Sequence, residues 1–307
     1  MIKKTTALGL ILMTIVCTVS SIVYAGDTKL QVTASSSFFA NLVQWIGGDN
    51  IAVKTIASPK FNVHFYQPTP KDIRNVRKAD LYVHWGLDLE AWSDPLLEAS
   101  GKSKLFRGRD RNLDLSQDMA LLNIPDGPLS RHDGDVHVFG NPHYHLNPMN
   151  LRIMANTIVK KLEELDPGNA SNYQNNHRDF LSRLDKKIIE WKDQSKHCKG
   201  KVIIAYHDDM SYLTEFMGIR LEQFVEPKPG ISPTPQHMEF LETYAKENDV
   251  RAIALSSYFP KDSAQRIAER IGAKVVIIAH NAGEIKGTED IFDFFDFNVS
   301  ALSEGLR

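Results

Sequence analysis

The chain has 307 residues, with 36 basic against 38 acidic side chains, a net charge of −2 with histidine neutral, and two cysteines. That balance argues against nucleic acid or a strongly anionic surface as partner. Lys3 and Lys4 precede an almost wholly apolar or small stretch from Ala7 to Val23, and Val23-Tyr24-Ala25 fits the small-residue rule for signal-peptidase cleavage. The stretch is too short and wrongly flanked for a membrane span, so residues 1–25 are expected to be a signal peptide and the protein periplasmic or otherwise extracytoplasmic. Val16 ahead of Cys17, and the apolar run continuing beyond it, argue against a lipid anchor there. Cleavage removes two lysines and no acid, leaving 34 against 38, or −4. Cys198 is then the only cysteine, which excludes an internal disulfide and reads as a buried thiol. The remaining length, about 280 residues, suggests one large or two medium domains.

The elements alternate between strand and helix. Leu30–Ala34 reads as a strand. Ser36–Ile46 follows as a helix, with Phe39, Leu42, Val43 and Ile46 at helical spacing and Gly47-Gly48 as its stop. Ile51–Ile56 is a strand, Thr69–Arg77 a helix entered through Pro70, Ala79–Val83 a strand and Asp88–Ala99 a helix. This βαβ rhythm predicts an α/β fold with largely parallel sheet. From Asp126 to Asn147 the rhythm breaks into a long loop rich in glycine, proline and histidine, of the kind that carries function. Pro148 to Leu165 is helical, and Asn169 to Lys196 forms a long amphipathic helix with Tyr173, Phe180, Leu184, Ile188 and Trp191 on one stripe. At about 40 Å it would run along two domains as a connecting rod. The second half repeats the pattern with strands at 201–205, 220–224, 252–255 and 275–278 and helices at 210–217, 234–247, 262–271 and 291–302. The expected division is 26–166 for an N-terminal lobe, 167–198 for the connecting helix and 199–307 for a C-terminal lobe.

In an open parallel sheet, ligands bind beyond the carboxyl ends of the strands. His207 follows strand 201–205, His280 follows 275–278, His64 lies in the loop after 51–56, and His143 closes the long loop. Neutral imidazole is the commonest protein ligand for zinc and similar ions, and four nitrogens suit a tetrahedral one. A single loop histidine is more often hydrogen-bonded at the surface. Four at strand ends in two halves leave that reading and a shared metal both open. His84, His177, His197 and His237 read as structural or surface residues, with His84 placed where it would approach a cleft.

Four segments carry a resemblance. Val63-His64-Phe65-Tyr66-Gln67-Pro68 is similar to a His-x-Tyr-Glu-Pro turn. Asn141-Pro142-His143-Tyr144-His145-Leu146-Asn147-Pro148 is similar to Asp-Pro-His-x-Trp-x-Asp-Pro. Tyr206-His207-Asp208 is similar to a strand-end His-Asp/Ala pair, and 229–235 to a proline-rich turn opening a helix. In order and nearly throughout, the chain resembles the zinc- and manganese-type substrate-binding proteins of ABC transporters, the TroA-like family. The resemblance implies two lobes, each a mostly parallel four-stranded sheet flanked by helices. One long rigid helix joins them and the metal lies in the cleft. It implies a solute-binding protein, not an enzyme, that delivers its ion to a membrane permease and acts as a monomer. The rod implies release by local movement of His64 or the Asp126–Asn147 loop rather than by a large hinge motion.

The chain departs from that pattern where a fourth ligand, an aspartate, is usual after the last strand. Here the sequence reads Ala279-His280-Asn281-Ala282-Gly283, so His280 is the expected substitute and Glu284 the runner-up. Gln67 replaces the usual glutamate, Asn147 the aspartate and His145 the tryptophan. His145 lies two residues beyond His143 and in an extended segment would face the same way, so it is the alternative ligand there, the family position favouring His143. The histidine-rich insert of many zinc members is reduced to His132, Asp133, Asp135 and His137, read as a weak capture loop or lid or as solvated residues. Asp208 and Asp209 are read either as partners fixing the His207 tautomer or as helix caps. Four nitrogens without a carboxylate favour Zn²⁺ over Mn²⁺, with Fe²⁺, Ni²⁺ and Cu²⁺ as alternatives. A secreted zinc hydrolase would need an open metal position and a base, and no His-Glu-x-x-His motif occurs. A metal-sequestering adhesin is the remaining alternative.

Overall fold

The structure is a computed structural model, and it describes residues 29–125, 127 and 137–307. The expected signal peptide and His132, Asp133 and Asp135 lie outside the described residues.

In the first half, β1 (Leu30–Ala34), β2 (Ile51–Thr55), β3 (Leu81–His84) and β4 (Asn112–Asp114) form a parallel sheet in the order β2-β1-β3-β4. Helices α1 (Ser37–Gly47), α2 (Pro70–Lys78) and α3 (Ser93–Ser100) alternate with them, and α4 (Asn150–Leu165) closes the unit. After the long α5 (Ala170–Gln194) the second half repeats the plan. Its strands are β5 (Val202–Ala205), β6 (Arg220–Phe224), β7 (Ala252–Ser256) and β8 (Lys274–Ile278), in the order β6-β5-β7-β8 and again parallel. Its helices are α6 (Ser211–Met217), α7 (Pro235–Glu247), α8 (Lys261–Ile271) and α9 (Ile291–Gly305). β3, β5 and β7 are buried along their whole length, as parallel strands covered on both faces must be. In both sheets the chain first adds a strand on one side of β1 or β5 and then crosses to the other. The carboxyl ends at these reversals are where ligand loops gather.

One element goes unforecast and one expected boundary moves. β4 had no forecast, because Asn-Leu-Asp is three residues long and has no apolar run. α3 starts five residues later than the periodicity suggests. Gly86, Leu87 and Asp88 all take positive φ, and a Cβ at Gly86 would stand 2.2 Å from Asp114 Oδ1. The backbone turns there before a helix can begin, and buried Glu90 accepts the Trp85 N–H at 3.0 Å to hold the turn.

α5 buries the stripe Tyr173, Phe180, Leu184, Ile188 and Trp191, the five residues its spacing marked. At 25 residues it is about 37 Å long. It packs on α1 and α4 of the first half and on α9 of the second. Trp191 Nε1–H donates to Asp296 at 2.7 Å, and Arg183 lies over Phe292 at 4.3 Å. Phe38 of α1 meets Phe294 and Phe295 of α9 edge-on at 5.4 and 6.3 Å, so one apolar core runs through both halves. Cys198 is buried beyond α5, its Sγ beside Ser303. Phe38→Ala should remove about 3–5 kcal/mol of stability, read from denaturant unfolding; a loss below about 1 kcal/mol would show that the halves do not depend on this seam.

Candidate metal centre

Each expected ring is set by a local device. His64 sits in a 3₁₀ turn, Val63–Phe65, capped by Asn62 Oδ1, which accepts the His64 N–H at 3.0 Å. Val63 is buried, and its carbonyl accepts Trp92 Nε1–H at 2.8 Å, which ties the turn to the first half. His143 enters a second 3₁₀ turn, Tyr144–Leu146, with its N–H on Asn141 Oδ1 at 2.9 Å and Tyr144 Oη donating to the Trp85 carbonyl at 2.8 Å. His207 and His280 each stand two residues beyond their strands, β5 and β8.

The structure brings these rings together. Centroids of His64 and His143 are 5.3 Å apart, His64 and His207 6.0 Å, His143 and His207 5.9 Å, and His143 and His280 4.8 Å. It also adds His137, 5.0 Å from His64 and 6.3 Å from His143. Nε2 of His64, His137 and His143 and Nδ1 of His280 are buried with no hydrogen-bond partner among the described residues. Unpaired buried nitrogens are costly, and several at one place are donors waiting for an electron-pair acceptor. His64, His137 and His143 offer nitrogens that all lie within 4.8 Å of one another.

The rings differ in charge. Burial holds His64, His143 and His280 well below the usual imidazole value, with neighbouring rings adding to it. Burial, then His207, lowers His137 to about 4. His207 moves the other way. Burial presses its pKa down, but the Glu226 hydrogen bond and the charges of Asp209, Glu226 and Asp208 together raise it.

The remaining expected residues are placed differently. His145 is fully buried; its Nε2–H donates to the His280 carbonyl at 3.0 Å and its Nδ1 accepts Trp85 Nε1–H at 3.3 Å. With both nitrogens engaged it supports the His280 loop and offers no lone pair. Glu284 is engaged as fully: one oxygen takes the N–H groups of His280 and Asn281 at 2.7 and 3.0 Å, the other the N–H and hydroxyl of Ser257. Asp208 accepts from Asn123 and Ser211, and Asp209 from Ser256 at 2.8 Å, so neither fixes the His207 tautomer. Glu226 does, accepting from His207 Nδ1 at 2.9 Å, which leaves the ring's lone pair on Nε2. Sequence reasoning missed Glu226. Strand register would have found it, since Ala205 pairs with Phe224 and each chain then runs two residues further. His84 is bonded at both nitrogens, to Asn112 and the Gly86 N–H, and does not reach the cleft. His177, His197 and His237 bond Asn156, the Ser303 carbonyl and the Phe224 carbonyl.

Residues 32–305 match the family model of the zinc-uptake complex component A, periplasmic. The chain belongs to this family. Members of the zinc-uptake family are metal-binding substrate-binding proteins of ABC transporters, which deliver their ion to a permease, and not enzymes. The high-affinity zinc uptake system protein ZnuA of Bacillus subtilis (strain 168) is 25% identical over 92% of this chain and 88% of its own length. The manganese ABC transporter substrate-binding lipoprotein PsaA of Streptococcus mitis is 24% identical over 92% and 91%. The crystal structure of ZnuA covers 90% of this chain and 97% of its own with a TM-score of 0.73 at 24% identity, which shows the same two-sheet fold. No helix among the described residues is long and apolar enough to cross a membrane.

The depressed rings set a pH dependence for the metal-free protein. Between pH 6.5 and their lowered values the unfolded chain binds more protons than the folded one. Their contribution is therefore full above about 6.5 and is lost as pH falls towards 4. His145, lowered to about 3 by burial, belongs to the same set. His207 has the opposite sign but is one ring against five. Melting temperature without metal should drop steadily from pH 7 to 4.5; a flat profile would contradict burial of neutral rings.

Proposed function

We propose that this protein captures zinc outside the cytoplasm, after removal of residues 1–25, and hands it to an ABC permease. One observation supports the reading above the others: imidazole rings from both halves, those of His64, His143 and His207, converge, and Nε2 of His64 and of His143 are buried with no partner among the described residues. His280 adjoins the group through His143, 4.8 Å away between ring centroids. Glu226, Asp208 and Glu284 stand around the rings but are bonded to imidazole, Asn, Ser and backbone partners, and Asp209 to Ser256 through one oxygen. A nitrogen-only donor set suits zinc at about 2.0–2.1 Å and leaves manganese, which prefers oxygen ligands, poorly served. Iron, nickel and copper ions share the preference for imidazole, so the choice among them rests on measurement. The core shared through α1, α5 and α9 opposes a large hinge motion, and release is assigned to movement of the short His64 turn.

Protein stripped of metal should take up one zinc per chain by calorimetry and bind manganese at least about 100-fold more weakly. His64→Ala, His143→Ala and His207→Ala should each cost at least about tenfold in zinc affinity. Unchanged affinity in all three, or stronger manganese binding, would reject the reading. Binding should also weaken from pH 7.5 to 5, because protons compete for the same lone pairs and His207, with its raised pKa, takes one first; constant affinity over that range would count against an all-imidazole site.

A further inference from the structure

His143 and His280 share a contact that decides which of them can hold an ion. His280 Nε2 and His143 Nδ1 are 2.9 Å apart. Both are ring nitrogens, so one must carry the proton and the other accept it. If His143 donates from Nδ1, its Nε2 keeps a lone pair and His280 keeps its own proton on Nδ1. If His280 donates from Nε2, its Nδ1 is free and His143 is protonated at Nε2. While this bond stands and both rings are neutral, only one of them can present its far nitrogen to a metal.

The surroundings choose His143. Its nitrogen lies with those of His64 and His137 in a group within 4.8 Å of one another; His207 stands beside that group, its ring 6.0 and 5.9 Å from those of His64 and His143, and His280 meets it only through His143. Nε2 of His64, His137 and His143 are the buried unpaired atoms of the three rings. Two imidazoles on one tetrahedral ion at 2.0–2.1 Å have ring centroids about 5 Å apart. His137 meets that figure against His64 at 5.0 Å and stands 6.3 Å from His143, the same range as His207 at 6.0 and 5.9 Å. His137 is also held in place. Its carbonyl accepts the Gly140 N–H at 3.3 Å, and Asn141 is tied to the second half through the Asp208 carbonyl at 2.8 Å and Tyr212 Oη at 2.9 Å. Gly140 takes φ +115, which lets the chain turn between His137 and His143.

We propose that His137 is a metal ligand, completing with His64, His143 and His207 a four-imidazole site in which His280 positions His143 and does not bind the ion. The proposal rests on the metal-capture function above. His137 thus takes the place expected of His280. His280 in turn is held by His145 on its carbonyl and Glu284 on its N–H, so a chain of hydrogen bonds runs from Trp85 through His145 and His280 to the Nδ1 of a ligand.

Cobalt(II) is the probe, because its visible bands report the number and type of donors. The full chain, stripped of metal, is titrated with Co²⁺ alone, and folding of every variant is checked by circular dichroism. His137→Ala should shift the bands and lower affinity more than about 100-fold, beyond the range of a supporting residue. His280→Gln, used because His280→Ala opens a buried gap, should lower affinity by about 10–100-fold and keep the wild-type bands. Wild-type bands in His137→Ala, or altered bands in His280→Gln, would overturn the assignment while leaving metal capture intact. Failure of the wild-type chain to bind Co²⁺ or Zn²⁺ at all would instead reject the function on which it rests.

Discussion

Lone pairs kept out of water with nothing to bond to are the constraint on which this structure depends. A protein that folds without cargo must bear the cost of burying such atoms, and this one buries several in one place. Burial also keeps most of the rings uncharged, since an imidazolium in that environment would be costlier still. The cost of folding without metal and the readiness to bind it are one property. What opposes the cost is the apolar seam of α1, α5 and α9, which is large enough to hold the strand ends where the rings meet.

Around the rings, polar side chains act by engaging one nitrogen so that the other is left over. Glu226 does this for His207, and the His143–His280 contact does it for His143. His145 shows the opposite outcome: Trp85 and the His280 carbonyl take both its nitrogens, and a histidine two residues from His143 becomes scaffolding. Proximity in sequence therefore says little about role here, whereas the hydrogen bond at the far nitrogen says a great deal.

Much of the scaffold was legible because it depends on local spacing. The α5 stripe, the two parallel sheets and the strand-end positions of His207 and His280 all follow from periods of two and 3.6 residues. β4 was not legible, because three residues carry no period, and the late start of α3 was hidden in a turn that only Gly86 against Asp114 explains. At the centre, convergence of His64, His143 and His207 could be anticipated from where strands end. The division of labour could not. His145 and His280 are 135 residues apart, His143 and His280 are 137 apart, and Glu226 reaches His207 through strand register. Such pairings are decided by tertiary packing, which spacing along one chain does not encode.

Cys198 lies at the opposite end of β5 from His207, closed off beside Ser303. The thiol is thus withheld from whatever ion the rings attract, and cations that prefer sulfur gain no advantage from it. Being covered, it is also shielded from oxidants and from coupling to a second chain. A carrier built this way exposes to its surroundings a nitrogen chemistry undisturbed by redox change, through its only sulfhydryl among the described residues being sealed inside.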